Sequence, residues 1–419
     1  MINKIILILF ELGYGIKFNL IGEISISEIF LIATSFFYIK KINFRKNKEI
    51  GRFTILYTLL IVIQIITEIA IDNNFNSAAK GIAINILSYL HIIFLYTYLK
   101  KSRSLISFAL LGLILRFIIF GKDIESINIE DSAFIALLKF TLVPILSYSL
   151  IFLASTTQKW KTEYIAITLG ILLIILGARS GGGIIFMTGL LSYIKRASQQ
   201  LHFANFKIVL IIASVSIYTS YCFYVNQVLE GKIRSGNSEQ LFRAENPYNP
   251  INLLMMGRSE VFVGYQAFTD KPWTGWGAWP KDPGMKYHKL QAKINNGKYN
   301  IYNILYDEIP SHSVLIGIGM MNGIFALFTM MLIFIYIIYM AKKTLKTNDA
   351  YTYVTVAFLI DFIWTMLFSP QSAFRYVVPI EMAFILITYQ KYFVFKRIHK
   401  KYAKNHLYYY RRHQRHSYS

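Results

Sequence analysis

The sequence predicts an all-α integral membrane protein with about twelve transmembrane helices and one large external loop carrying short helices. Three observations predict it. Apolar residues make up 55% of the 419 residues and charged residues 16%, with a mean hydropathy of +0.44; a soluble domain of this size carries more charge. The apolar residues fall in long blocks, of which 324–340 (IFALFTMMLIFIYIIYM) is the clearest, near the length of a bilayer-crossing helix. Backbone polar groups in lipid must pair internally, and the period-2 alternation of a barrel strand is absent, which leaves helices.

In chain order the spans read 2–20, 25–40, 52–71, 79–99, 104–120, 132–155, 162–177, 182–195, 206–226, 311–340, 350–369 and 374–392. The first run passes through Gly13, Gly15 and Lys17 straight into the second, with no small-residue cleavage site. It therefore reads as a weak first span rather than a cleaved leader. The organisation is a bundle of about nine helices over 1–226, a loop over 227–310, C-terminal helices over 311–392 and a basic tail over 393–419. Cys222 is the only cysteine, so neither an intrachain disulfide nor a cysteine-based metal or redox motif is available.

The net charge of +22 divides between alternate loops. Segments 40–52, 100–103, 158–161, 195–207, 342–346 and the tail from Lys391 are strongly basic. Segments 72–80, 121–131, 227–310 and 369–375 are mixed or acidic. The positive-inside rule makes the basic set cytoplasmic and places both termini inside. The tail, with His399, His406, His413 and His416, reads as an orientation signal and an anionic-lipid contact. Neither nucleic-acid binding nor a metal site is expected of it.

This topology puts three chemically able residues on the outer side. Arg179 lies in a tight turn (GARSGGG), Arg258 opens MMGRSEVF in the long loop, and His312 lies in IPSHSVL at the mouth of the tenth span. Two fixed cations and a titratable base facing one space suit a lipid-linked pyrophosphate. Arg375, at the outer start of the last span, is a further candidate for anion contact. The intramembrane charges Glu68, Arg116, Lys139 and Asp361 read as ion pairs or cavity-facing groups.

In the outer loop, Val261, Phe262, Tyr265 and Phe268 fall at helical spacing. The spacing predicts a helix from Gly257–Ser259 to just before Lys271, with Arg258 at its donor-rich N-terminus. PWTGWGAWP (272–280) follows. Trp273, Trp276 and Trp279 there read either as a membrane-interface belt or as a platform for sugar rings. The polar stretch 281–303 reads as a mobile lid.

The ordered set of Ala178-Arg179-Ser180-Gly181, GRSE (257–260), Pro272-x-x-Gly275-x-Gly277, His312 and the glycines at 319 and 323 resembles the O-antigen ligase and O-antigen polymerase superfamily. The resemblance lies mainly in 165–340; one departure is Ser313, where the family commonly has asparagine after the histidine. It implies a GT-C-like bundle in the bacterial inner membrane and an active site facing the periplasm. Arg179 and Arg258 would bind the diphosphate of an undecaprenyl-linked glycan donor, and His312 would act as catalytic base. The acceptor would be lipid A–core for a ligase, the preferred reading, or a second lipid-linked glycan for a polymerase. No D-x-D pair occurs, and arginine neutralises diphosphate unaided, so an inverting transfer without metal or other cofactor is expected. A lipid-linked oligosaccharide transporter is the alternative from another class; it would require inverted repeats and helices broken near the midplane.

Overall fold

The structure, a computed structural model, describes all residues except 21, 43, 45–46, 122–132, 158–160, 198–214, 216–217, 220, 233–240, 243, 245, 296–306, 348 and 394–419. The described chain is mostly helical. In order come α1 (Ile2–Gly13), α2 (Ile26–Lys41), α3 (Lys48–Ala70), α4 (Phe75–Leu99), α5 (Ile106–Phe120), α6 (Ala133–Leu137), α7 (Val143–Thr157), α8 (Thr162–Ile175) and α9 (Arg179–Ala197). The outer-loop helices are α10 (Pro250–Gly257), α11 (Ser259–Asp270) and α12 (Lys286–Ile294). The C-terminal helices are α13 (Val314–Thr344), α14 (Thr352–Phe368) and α15 (378–393).

Five helical segments are long and apolar enough to cross a membrane: Lys48–Ala70, Phe75–Leu99, Arg103–Phe120, Phe134–Thr157 and Val314–Thr344. α8 and α14 are apolar but shorter. The protein is thus a helical, membrane-embedded protein. The predicted ninth span, 206–226, lies largely outside the described residues, as do most of the segment 121–131 and all four tail histidines.

The expected first span, 2–20, is not a single helix. α1 stops at Gly13 and the chain turns into an antiparallel hairpin, Lys17–Leu20 with Gly22–Ser25. A side chain at Gly13 would lie 2.6 Å from Ser27 Oγ, so the glycine admits the start of α2 beside the end of α1. Lys17 and Glu23 close the hairpin at 2.9 Å. α2 then starts on a reciprocal cap: Ser25 accepts from the Glu28 amide while Glu28 accepts from the Ser25 amide.

α4 is the most buried of the five long apolar helices. Glu11 on α1 bonds His91 on α4 at 2.9 Å, and His91 also meets Tyr14 at 3.0 Å, all three buried. Polar groups in an apolar bundle pair with one another in this way.

The contacts give the bundle two chemically different ends. At one end Tyr336 donates to Glu49 at 2.6 Å, Arg103 pairs with Asp349, Gln390 bonds Asn47 and Arg196 pairs with Glu163. The basic segments 40–52, 100–103 and 342–346 start or finish helices there. At the other end lie the C-terminus of α3, the N-terminus of α4, the outer-loop helices and the turn Gln371–Arg375.

α13 breaks at this second end. Gly323 takes φ +77°, ψ −173° inside it, a conformation suited to glycine. From Ile324 to Thr344 the remaining helix spans about 31 Å at 1.5 Å per residue, the thickness of a bilayer core. The turn lost at the break is replaced by the loop 272–280. Trp276 N–H donates to Met320 O at 2.9 Å, Gly277 N–H to Met321 O at 2.8 Å, and Ile324 N–H to Pro272 O at 2.7 Å. Glu68, buried at the end of α3, fixes the same junction. Its carboxylate accepts from Ala278 N–H at 2.8 Å, Asn73 Nδ2 at 2.6 Å and Asn322 Nδ2 at 3.2 Å. Irregular backbone buried within protein in this way meets the demand that every polar group be paired.

Candidate functional site

α11 runs from Ser259 to Asp270, the limits the sequence predicts. Its buried face differs from the expected one. Val263, Gly264, Ala267 and Phe268 are buried, while Phe262 and Tyr265 are 41% and 55% exposed. Gly264 decides this: a side chain there would lie 3.3 Å from Ile316 and 3.5 Å from Ser311, so α11 turns its glycine, not its rings, toward α13. Phe268, Tyr287, Ile309 and Met320 complete a small core for the outer loop.

Arg258 is the N-cap residue of α11, and its guanidinium lies 5.5 Å over the Trp364 ring near the end of α14. Burial pushes it below the ordinary arginine value and the nearby Glu260 opposes that. Among the described residues, no hydrogen bond or ion pair holds this guanidinium. The Glu260 carboxylate is taken instead by Gln291 Nε2 at 2.9 Å. Arginine remains charged in proteins, so a part-buried, unpaired cation stands at a helix N-terminus.

His312 immediately precedes Ser313, the N-cap of α13. Ser313 Oγ accepts from Ile316 N–H and donates to Met366 O, both at 3.2 Å. The histidine and Arg258 are therefore both brought to residues 364–366 of α14. Ser313 is the capping residue that ties this segment down.

Arg179 opens α9, where its guanidinium donates to Tyr224 Oη at 2.5 Å and lies 5.2 Å over that ring. α9 runs antiparallel to α8: a side chain at Gly189 would touch Glu163, and one at Gly182 would touch Gly170 and Ile174. Glu163 also acts on Tyr353, near the start of α14. The start of α14 thus lies against the later half of α9, and the two helices are antiparallel. Ile184, Ile185 and Thr188 share a small cavity with Tyr353, Ala357 and Asp361. Continuing that register puts Arg179 level with Met366. Three residues from distant parts of the sequence share one end of α14.

Arg375 is placed differently. Its Nη2 donates to Glu28 at 2.5 Å and to the Glu23 carbonyl at 2.7 Å, and its Nε is also bonded to Glu28. The buried Glu28 carboxylate neutralises this cation and ties the turn Gln371–Arg375 to the head of α2. The geometry is that of a structural fork, not of a free anion contact. Nearby Arg116 lies over Tyr14 at 5.8 Å and Tyr376 at 5.5 Å.

The three tryptophans separate by role. Trp273 is 69% exposed and packs 6.2 Å from the exposed Phe325 of α13. Trp276 points inward: its Nε1 donates to Ala267 O at 2.7 Å, Tyr287 meets it edge-on, and Lys271 Nζ covers a face at 3.9 Å. A covered ring offers no sugar platform on that face. Trp279 is part-exposed with φ +56°.

The expected lid over 281–303 is helical in its first half. Asp282 accepts from the amides of Tyr287 and His288 at 3.1 and 2.8 Å and from His288 Nδ1 at 2.5 Å. Asp270 takes Lys286 Nζ at 2.5 Å and Tyr287 Oη at 2.6 Å. The ends of the excursion are joined by Asp282 N–H to Asp307 O and Ile309 N–H to Pro280 O, both at 2.9 Å. Residues 296–306 lie outside the described set.

Sequence reasoning missed Trp364, Tyr224 and Glu28, the residues that hold the three arginines. Trp364 and Tyr224 sit in apolar runs that look alike from the sequence. Glu28 had a local signal, the S-x-x-E pattern from Ser25, but nothing in it points to Arg375. No protein-family model matches the chain, and no curated protein matches it.

Proposed function

We propose that the protein is a membrane glycosyltransferase that moves a glycan from undecaprenyl diphosphate to a sugar hydroxyl. The preferred acceptor is lipid A–core, which makes it an O-antigen ligase of lipopolysaccharide synthesis. The reading includes about twelve spans in a bacterial inner membrane, both termini in the cytoplasm and the site facing the periplasm. The observation that carries it is Arg258: a part-buried guanidinium that, among the described residues, makes no hydrogen bond or ion pair, at a helix N-terminus beside the segment bearing His312.

In this reading the acceptor oxygen attacks the anomeric carbon as the bond to the lipid diphosphate breaks. The leaving diphosphate gains charge, which Arg258 and Arg179 stabilise more in the transition state than before it. The hydroxyl proton passes to His312, a general-base contribution of about 10²–10⁴-fold. The configuration at the anomeric carbon inverts. The resemblance of the ordered motifs and the gathering of the three residues at one end of α14 support the reading. The transporter alternative fits less well. α13 does break, but about 31 Å from its far end rather than midway, and the break is filled by the protein's own loop.

The test is surface-glycan profiling of a deletion strain complemented with wild type, His312→Ala or Arg258→Ala. A ligase leaves full-length glycan on the lipid carrier and none on lipid A–core when deleted. A polymerase leaves single repeats attached to lipid A–core. Wild-type profiles from both variants, expressed at wild-type level, overturn the site assignment.

A further inference from the structure

We propose that Asp361 and Glu381 form a proton-binding site inside the helical bundle, one proton being shared between the two carboxyl groups. The site is independent of the transfer reading. α14 and α15 run antiparallel across the turn Gln371–Arg375, with Phe358 and Phe384 in ring contact at 5.4 Å. One helical turn further along each helix, in the direction that keeps them opposed, come Asp361 and Glu381. Their carboxyl groups are within hydrogen-bonding reach of each other.

Glu381 is 0% exposed, and among the described residues neither of its oxygens meets an N–H or O–H donor. The group it does reach, Asp361, is also an acceptor unless one of the two carries a proton. Two carboxylates at such range in a low-dielectric interior cannot both ionise, whereas an acid–carboxylate pair forms a strong hydrogen bond. Among the described residues, the remaining surroundings supply no counter-charge. α7 contributes the Tyr148 hydroxyl, 3.5 Å from Asp361 Oδ2. α9 contributes Ile184, Ile185 and the uncharged Thr188, and α14 itself contributes Tyr353. Arg116 on α5 and Glu163 on α8 act on Tyr148 and Tyr353 respectively rather than on the pair. A small, mostly apolar cavity bordered also by Ser147 and Thr188 adjoins Asp361.

This arrangement differs from the other buried carboxylates. Glu68 is held by three amide donors, Glu28 by Arg375 and Glu11 by His91. Each of those meets a hydrogen-bond donor or a cation, which the Glu381 carboxyl lacks among the described residues.

Dicyclohexylcarbodiimide adds to protonated carboxyl groups in apolar surroundings, and peptide mass spectrometry locates the adduct. The full-length protein, purified in detergent, is treated at about pH 7.5, where an ordinary carboxyl of pKa about 4 is ionised. Adduct is expected on Asp361 or Glu381 and not on Glu68, Glu28 or Glu11. It is lost in Asp361→Asn and Glu381→Gln, and sodium chloride gives no protection. Absence of adduct from both residues at that pH overturns the proposal. So does protection by sodium ion, which would make the pair a metal-cation site. If a variant fails to fold, labelling of the wild type with and without sodium still decides.

Discussion

The Met320 carbonyl accepts its hydrogen bond from Trp276, a residue of another segment, and not from Ile324, four residues along its own helix. The Ile324 amide is turned to Pro272 instead. The longest helix of the protein is therefore completed by its outer loop, and Gly323 is the residue at which the exchange occurs.

Gly323→Ala is expected to loosen this junction. An added methyl group would meet the Trp273 carbonyl, and the positive φ disfavours any side chain. The strain alone costs about 1–3 kcal/mol. Gly183→Ala is the matched control: it lies in α9 with nothing within 4 Å of the added carbon, and is expected to be neutral or slightly stabilising. Thermal unfolding in detergent separates the two. Equal melting temperatures would contradict the interlock.

Arg375→Ala is expected to impair folding before it affects any activity. It strips the counter-charge from the buried Glu28, a loss of about 3–5 kcal/mol. The double variant Arg375→Ala/Glu28→Ala should recover part of that stability. Monodispersity on size exclusion reads the effect. A stable, monodisperse Arg375→Ala protein that has lost glycan transfer would restore Arg375 to the substrate site.

Trp364→Leu is expected to lower kcat/KM, with the larger part of the loss in kcat. It removes the ring beneath Arg258, an interaction worth about 0.5–2 kcal/mol, or about 2- to 30-fold in kcat/KM. Arg258→Lys keeps the charge but loses the planar fork, and is expected to transfer poorly. Steady-state kinetics with purified lipid-linked donor give the split between KM and kcat. A raised KM with unchanged kcat in Trp364→Leu would count against Arg258 as a contact that strengthens in the transition state.

Acid should release α12 from α11. Burial raises the Asp270 carboxyl, but hydrogen bonds from Lys286, Tyr287 and Gln266 outweigh it and hold the group below an ordinary aspartate. A carboxyl depressed in the folded state contributes fully above the unfolded value of about 3.9 and loses that contribution as pH falls through the folded value. Protection of the 286–294 amides in hydrogen exchange is therefore expected to drop on that descent. In Asp270→Asn, protection is expected to be lower from the start and to lack that step.

The apolar blocks made the membrane class legible because bilayer thickness imposes a length on any helix that crosses it. The limits of α11 were legible too, since Lys271-Pro272 ends a helix by local geometry alone. What the sequence hid was set by contacts between distant residues. Arg375 looked like Arg258 as an outer cation, and only the fold brings Glu28 to one and Trp364 to the other. The buried face of α11 was misread because ring size suggested burial while Gly264 decided it. Glu381 stood as a lone carboxylate in the last apolar run, a visible signal whose partner, Asp361, appears only once α14 and α15 are set side by side.

The loop that fills the break in α13 also constrains the order in which the protein is made. Residues 272–280 leave the ribosome before 314–344, and Glu68 long before either. The amides of Trp276 and Gly277 therefore wait for acceptors that arrive last, from a helix still to be inserted, while Glu68, the acceptor for Ala278, is already made. Assembly of the outer end is a late event in biogenesis, completed only when the C-terminal helices join the bundle. A nascent chain stopped before Val314 would carry an outer loop with its anchoring amides unclaimed, the form a quality-control protease would meet.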